Sequence, residues 1–358
     1  MQNDFAIDRR RFAALFAGAL AAPLIAGAAH AQTATPQPID EGRFVSINGV
    51  EQWIVIRGAD IRNPILFVLQ GGPGIGAAFM APIFFDWENE FTIVLWDQPG
   101  GGGTDIRNAG NPGEQSLDRY TRDAIAVAEY ARERLGQQKM VVFGNSWGTQ
   151  LGLELIHHRP DLTSAYVGVA QAIGMRGWVE GYRLALEAAH ARADAAGIAA
   201  LEAAGPPPYA RFEDFMTRQS YVFPPNLPAT DAENAAGAAF AAAAFAPPPP
   251  GASWVAPVTP PAGYDYGAVF MRSAQAMFPV WQDMEIRDYG RDFSMPVFVF
   301  QGAVDINTPA SLAREWIEEI NAPAKAFAAI PGAGHNVMAF HQEIHALFRQ
   351  HVLPALGR

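Results

Sequence analysis

Residues 140–158 read MVVFGNSWGTQLGLELIHH, an apolar run, a serine held between two glycines, and a longer segment that ends before Arg159-Pro160. The run over 140–144 predicts a buried strand, and 147–158 predicts a helix stopped by Pro160. Between them, Gly144-Asn145-Ser146-Trp147-Gly148 matches G-x-S-x-G. As a bare pattern this is weak, because a chain with 34 glycines shows one by chance on the order of once in ten such chains. Its setting strengthens it. A nucleophile elbow joins a strand to a helix, strains the serine backbone, and needs small flanking residues where the two elements pass. Ser146 is therefore a candidate nucleophile.

A serine hydroxyl is a poor nucleophile at neutral pH and needs a base, which in turn needs an orienting acid. On an elbow of this kind the order along the chain is Ser, then Asp or Glu, then His. Asp305 follows the strand-like MPVFVFQG, and His335 follows KAFAAI within PGAGH. Both fall at C-terminal ends of predicted strands, on the same rim as Ser146. A tetrahedral oxyanion also needs donors. The main-chain N–H of Trp147 supplies the first, and the loop Gln70-Gly71-Gly72-Pro73-Gly74 should supply the second, with Gly72 the chosen position.

The rest of the chain places this constellation. Residues 41–60 predict a hairpin around Asn48-Gly49, PILFVL and FTIVLW predict strands covered on both faces, and AAFMAPIFFDWE between them predicts a helix. A surface helix is expected over 120–135, with Ile125, Ala128, Ala131 and Leu135 on one stripe and Gly136 closing it. SAYVGVA is a further strand. Helices are expected near 311–320 and from about 337 to 353. Alternation of strand and helix implies an α/β protein with a mostly parallel sheet flanked by helices. It stops between residues 172 and 290, which reads as an inserted cap, leaving 32–171 and 291–358 as the core. Residues 178–204 are strongly helical. Residues 224–262, rich in Ala and Pro, read either as a low-complexity linker or as part of the cap.

The N-terminus carries Arg9-Arg10-Arg11 before an Ala/Leu/Gly stretch and Ala29-His30-Ala31. This is the form of a Tat-type signal peptide over residues 1–31, giving a periplasmic or secreted protein without stable membrane insertion after cleavage. Removing it takes away two acids and three bases, and the net charge of −11 becomes −12. That acidity argues against nucleic acid and anionic lipid as partners. With no cysteine, disulfides, thiolate metal sites and cysteine nucleophiles are excluded. No cofactor motif is present. His157-His158 has the look of a metal pair, but adjacent helical residues point in different directions and a helix-end role is expected.

QGGPG, WDQPGGGGT, GNSWGTQLGLELIHHRP, QGAVDINTP and PGAGH, in this order, resemble the α/β-hydrolase branch that includes the prolyl aminopeptidases (proline iminopeptidases). The resemblance covers the sheet on both sides of the insertion. It implies an α/β-hydrolase core with a helical cap, no metal or cofactor, catalytic positions Ser146, Asp305 and His335, and oxyanion positions Gly72 and Trp147. This chain departs from the family pattern at Gln70, where His is usual, at Asn145, where Gly is usual, and at Pro99, where Arg is usual. Aminopeptidases of this family hold the substrate amine with cap carboxylates; Glu180, Glu187, Glu202, Glu213 and Asp214 are the acids available here, each also readable as a solvated helix face. Asp97 and Gln98 are expected to brace the loop or the oxyanion turn. Trp178, Tyr182, Phe212, Phe215, Tyr221 and Phe223 are expected either to line a pocket or to pack within the cap.

The sequence reading is a serine hydrolase acting through an acyl-enzyme on a small molecule or short peptide. A prolyl-aminopeptidase-like activity leads, a carboxylesterase acting on small apolar esters is the alternative, and a non-catalytic binding protein of the same fold is the reading from another class.

Overall fold

The computed structural model describes residues 35–244 and 258–358. Residues 1–31, where a signal peptide is expected, and the Pro-rich 245–257 lie outside the described residues. Strands β1 (Ile39–Ile47) and β2 (Val50–Gly58) form the expected hairpin. Strands β3 (Ile65–Leu69) and β4 (Thr92–Trp96), from PILFVL and FTIVLW, are buried at every residue. Helices α1 (Gly102–Arg107) and α2 (Leu117–Leu135) lead to β5 (Met140–Asn145), α3 (Trp147–His158) and β6 (Thr163–Val169). The insertion then supplies α4 (Met175–Ala191), α5 (Ala195–Ala204), α6 (Phe212–Ser220), α7 (Asp231–Ala244) and α8 (Tyr266–Asp283). The sheet resumes with β7 (Val297–Gly302), followed by α9 (Ala310–Glu319), β8 (Lys325–Ile330) and α10 (His341–Leu347).

The sheet order is β1-β2-β4-β3-β5-β6-β7-β8. Only the pairings that involve β2 are antiparallel. Because side chains alternate along each strand, the two faces sort cleanly. Phe67, Leu69, Met140, Val142 and Val299 pack under α2, α3 and α9, against Ala128, Leu151 and Trp316. Leu66, Val68, Val141, Phe143 and Phe300 pack on the other face against Phe84, Trp87 and Phe348. Burial on both faces is why these strands read as unbroken apolar runs rather than as alternating ones, and each fully buried large side chain contributes about 1.5–3 kcal/mol.

Several local expectations change. AAFMAPIFFDWE winds as a 3-10 helix, Ala78–Asn89, with Pro82 inside it; proline has no N–H to give and crowds the preceding carbonyl of an α-helix. Over 178–204 the helix breaks, because Ala193 takes φ 53° and Asp194 caps a new helix by accepting from Gly197 N–H. The C-terminal segment is composite, with a 3-10 turn (Val337–Phe340), α10, and a π-helical turn (Phe348–Val352). On α2 the buried stripe runs through Tyr120, Ala124, Val127, Ala128, Ala131 and Leu135, leaving Ile125 half-buried beside it.

The linker reading fails over 231–244. Alanine is the strongest helix former, and α7 lies on the core, with Ala236, Phe240 and Ala243 against the apolar face that holds Phe84 and Phe340.

Candidate active site

The elbow is built by close approach. A methyl group at Gly148 would stand 1.8 Å from the Leu69 carbonyl oxygen, and one at Gly144 would stand 2.5 Å from the Gly148 carbonyl oxygen. Both contacts are with main chain, which has nowhere to go, so only glycine lets β5 and α3 meet beside β3. Ser146 is left at φ 52°, ψ −118°, a strained conformation for a residue with a side chain. Its neighbours hold it there. Ser146 N–H donates to the Val169 carbonyl at 2.9 Å, and the Ser146 carbonyl accepts from Thr149 N–H at 2.8 Å and Thr149 Oγ1 at 2.6 Å.

The structure brings the three predicted residues together. Ser146 Oγ lies 2.9 Å from His335 Nε2, and His335 Nδ1 lies 2.9 Å from Asp305 Oδ2. The tautomer that satisfies both contacts carries its proton on Nδ1, donates it to Asp305, and offers the Nε2 lone pair to the serine hydroxyl. Asp305 is buried. Burial would raise its carboxyl, but the charge of His335 and the hydrogen bonds from His335 and Thr308 outweigh that, and it titrates below the ordinary carboxylate range.

The residues around Asp305 went unrecognised in the sequence. Oδ1 accepts from the N–H groups of Asn307 at 2.8 Å and Thr308 at 2.9 Å, and Oδ2 accepts from Thr308 Oγ1 at 2.6 Å. An Asp followed three residues on by Thr is the available signal, since such a side chain closes a local turn on itself. Asn307 Nδ2 also reaches His335 Nε2 at 3.2 Å. Its Oδ1 accepts from Arg218 of α6, a fully buried guanidinium with no carboxylate within ion-pair distance among the described residues. Burial lowers Arg218 to about 10.

The two proposed oxyanion donors face the same space. Gly72 and Trp147 both line the cavity above Ser146, and among the described residues neither main-chain N–H finds an acceptor. Gly72 has φ +54°, which favours glycine. Asp97 and Gln98 brace this region as expected. Asp97 accepts from the N–H groups of Ala77, Ala78 and Gly103. Gln98 Nε2 donates to the Gln70 carbonyl at 3.2 Å, and its Oε1 accepts from Trp147 Nε1 at 3.0 Å.

The cavity has a volume of about 810 Å³ and a largely apolar wall that includes Trp178, Phe215, Phe223, Phe270 and Trp281. Tyr182, Phe212 and Tyr221 are not in that wall; they pack within the insertion. None of Glu180, Glu187, Glu202, Glu213 and Asp214 reaches the wall either. Glu180 and Glu187 pair with Arg183, Glu213 and Asp214 pair with Arg211, and Glu202 is exposed. The four paired acids are more stable solvated beside an arginine, and Glu202 in water, than buried in an apolar wall. The acid that does line the wall is Glu233 of α7, which the sequence reading passed over inside the Ala-rich stretch. His157 and His158 sit at the far end of α3, against Tyr289 and Glu154 respectively.

A family model for the alpha/beta hydrolase fold matches residues 64–342. The chain belongs to this α/β-hydrolase family. Among relatives, this α/β hydrolase is 31% identical over 130 residues to the probable aminopeptidase YbaC of Bacillus subtilis, covering 36% of this chain and 41% of that one. It is 38% identical over 104 residues to the proline iminopeptidase of Neisseria gonorrhoeae, covering 29% and 31% respectively. The chain thus spans less than half the length of the curated relatives it matches. The crystal structure of the proline iminopeptidase of Mycobacterium smegmatis aligns over 88% of this α/β hydrolase and 100% of its own chain, with a TM-score of 0.56 at 20% identity. That likeness extends the shared fold through the insertion.

Proposed function

We propose that this α/β hydrolase is a serine hydrolase in which Ser146 attacks a carbonyl and forms an acyl-enzyme. The observation that carries the reading is the continuous path Ser146 Oγ, His335 Nε2, His335 Nδ1, Asp305 Oδ2, with both heavy-atom contacts at 2.9 Å. His335 takes the serine proton as the bond to carbon forms, Asp305 stabilises the imidazolium, and the same proton passes to the leaving group as the carbon–leaving-group bond breaks. The N–H groups of Gly72 and Trp147 receive the oxyanion. Water, deprotonated by His335, then releases the acid. Labelling of the native protein by a fluorophosphonate, lost in Ser146→Ala, tests this; an unlabelled native protein would favour a non-catalytic binding protein.

For the substrate, the relatives named aminopeptidase and proline iminopeptidase support a short peptide or amide with a free N-terminal residue, proline among them. Glu233 is the wall carboxylate available to a substrate ammonium. A carboxylesterase is the second reading, favoured because both Glu233 oxygens already accept main-chain N–H groups and an apolar ester needs no carboxylate. Proline-4-nitroanilide and 4-nitrophenyl esters separate the two: ester turnover without arylamide cleavage sinks the peptidase reading.

Export belongs to the same proposal. The Arg9-Arg10 pair and Ala29-His30-Ala31 support Tat transport to the periplasm or medium. Retention of an Arg9→Lys/Arg10→Lys double variant in the cytoplasm would support it, and unchanged export would overturn it.

A further inference from the structure

Helix α7 begins on a reciprocal capping box. Thr230 Oγ1 accepts from Glu233 N–H at 3.0 Å, and Glu233 Oε2 accepts from Thr230 N–H at 2.9 Å. That arrangement leaves one carboxylate oxygen and one hydroxyl proton over. Here both go to the loop that carries His335. Glu233 Oε1 accepts from Gly334 N–H at 2.9 Å, and Thr230 Oγ1 donates to the Gly332 carbonyl at 2.6 Å. Ala232, between them, crowds Gly332 so closely that a methyl group there would stand 2.7 Å from its Cβ.

This loop has reason to need an outside hold. It reads Pro331-Gly332-Ala333-Gly334, and its two glycines leave the backbone more conformations than residues with side chains would. The core supplies two bonds, Ala333 N–H to the Ile330 carbonyl at 3.2 Å and Val304 N–H to the Ala333 carbonyl at 3.0 Å. Neither acts on the residue just before the histidine. The bond at Gly334 comes from the insertion, and because its acceptor is a carboxylate it belongs to the stronger class of hydrogen bond.

We infer that Thr230 and Glu233 are positioning residues for His335. They fix the backbone at 332–334 so that the imidazole keeps its contacts with Ser146 and Asp305. The inference rests on the reading of those three residues as a working triad. It gives the α7 segment, compositionally a linker, a direct bearing on the base.

The test compares Thr230→Val, Thr230→Ser and Glu233→Ala with the native full-length chain. Valine keeps the shape of threonine and removes both hydroxyl bonds; serine restores them. The readouts are the labelling rate of Ser146 by an alkyl fluorophosphonate over roughly pH 5 to 9, and kcat and KM on a neutral 4-nitrophenyl ester, chosen because it carries no charge for Glu233 to bind. Circular dichroism melts check that each variant is folded at the assay temperature. Thr230→Val and Glu233→Ala are expected to lose about tenfold in labelling rate and kcat with KM within about twofold, and Thr230→Ser to stay within about twofold of native on every count. Native rates in Thr230→Val, or failure of Thr230→Ser to recover them, overturns the inference. Should Thr230→Val not fold, Glu233→Gln serves in its place, with an oxygen for only one of the two N–H groups, and native rates there overturn the inference equally. If the native protein neither labels nor turns over ester, the triad reading is what fails. Hydrogen exchange at the Gly334 amide then decides the clamp: faster exchange in Thr230→Val upholds it, and unchanged protection overturns it.

Discussion

Asn307 Nδ2 lies 3.2 Å from His335 Nε2, the nitrogen that also faces Ser146 Oγ, while Asn307 Oδ1 is held by the buried guanidinium of Arg218. The asparagine is neutral, so it can border the base without charging it. Asn307→Asp changes that. A carboxylate beside Nε2 favours the imidazolium, so the base is protonated up to a higher pH than in the native protein. The acid limb of the Ser146 labelling profile is expected to move upward by about one unit, which lowers the rate about tenfold at the foot of that limb. Stability should be kept or gained, because Arg218 acquires an opposite charge. A profile that superimposes on the native one would remove Asn307 from the environment of the base.

Asp305→Asn should fold and fail. The amide cannot take the Nδ1 proton as the carboxylate does, so the imidazole turns to the wrong tautomer, and kcat is expected to drop on the order of 10⁴-fold with KM little changed. Steady-state kinetics on a 4-nitrophenyl ester measure this. A loss smaller than tenfold would mean that Asp305 does not orient His335.

Two glycine substitutions near the serine should behave differently. Gly148→Ala places a methyl 1.8 Å from the Leu69 carbonyl oxygen, a main-chain clash that should leave no soluble folded protein. Gly72→Ala meets the end of the flexible Ile75 side chain at 2.9 Å and carries φ +54°. It is expected to fold with a loss of about 1–2 kcal/mol. Denaturant unfolding of Gly72→Ala and the soluble yield of Gly148→Ala check the pair.

His345 gives the fold a pH dependence of known sign. Its ring stacks on Trp87 at 4.4 Å, and its Nε2 lies 2.8 Å from Glu90 Oε2. Burial outweighs the hydrogen bond to Glu90 and lowers the imidazole below its ordinary value. As pH falls, the unfolded chain therefore takes up this proton first. The stability tied to neutral His345 is complete above about pH 6.5 and is lost as pH falls below that. His345→Gln keeps a donor for Glu90 and removes the titration. Its Tm should decline less than the native Tm between about pH 7 and pH 5, as read by calorimetry. An equal decline would remove His345 from the acid response.

What could be read in the sequence was what local physics repeats. The strands β3, β4, β5 and β7 were legible because burial on both faces leaves continuous apolar runs. The elbow was legible because close approach permits only glycine at 144 and 148. The cluster of Ser146, His335 and Asp305 was legible as an arrangement, since its members sit just past strand ends. The choice among five cap acids was not legible: whether a glutamate faces a cavity or an arginine depends on how helices pack, and Arg183 and Arg211 took four of them.

By itself, then, the sequence determined the α/β architecture and pointed to Ser146, Asp305 and His335 as one cluster, because hydrophobic period and glycine sterics act over a few residues at a time. Tertiary structure alone decided the setting of that site. It brought Arg218 of α6 to Asn307, and it brought Thr230 and Glu233 to the loop before His335, across 102 and 101 residues of chain. Contacts of that separation leave no periodic trace in sequence. They arise from where the packed faces of the insertion meet the core.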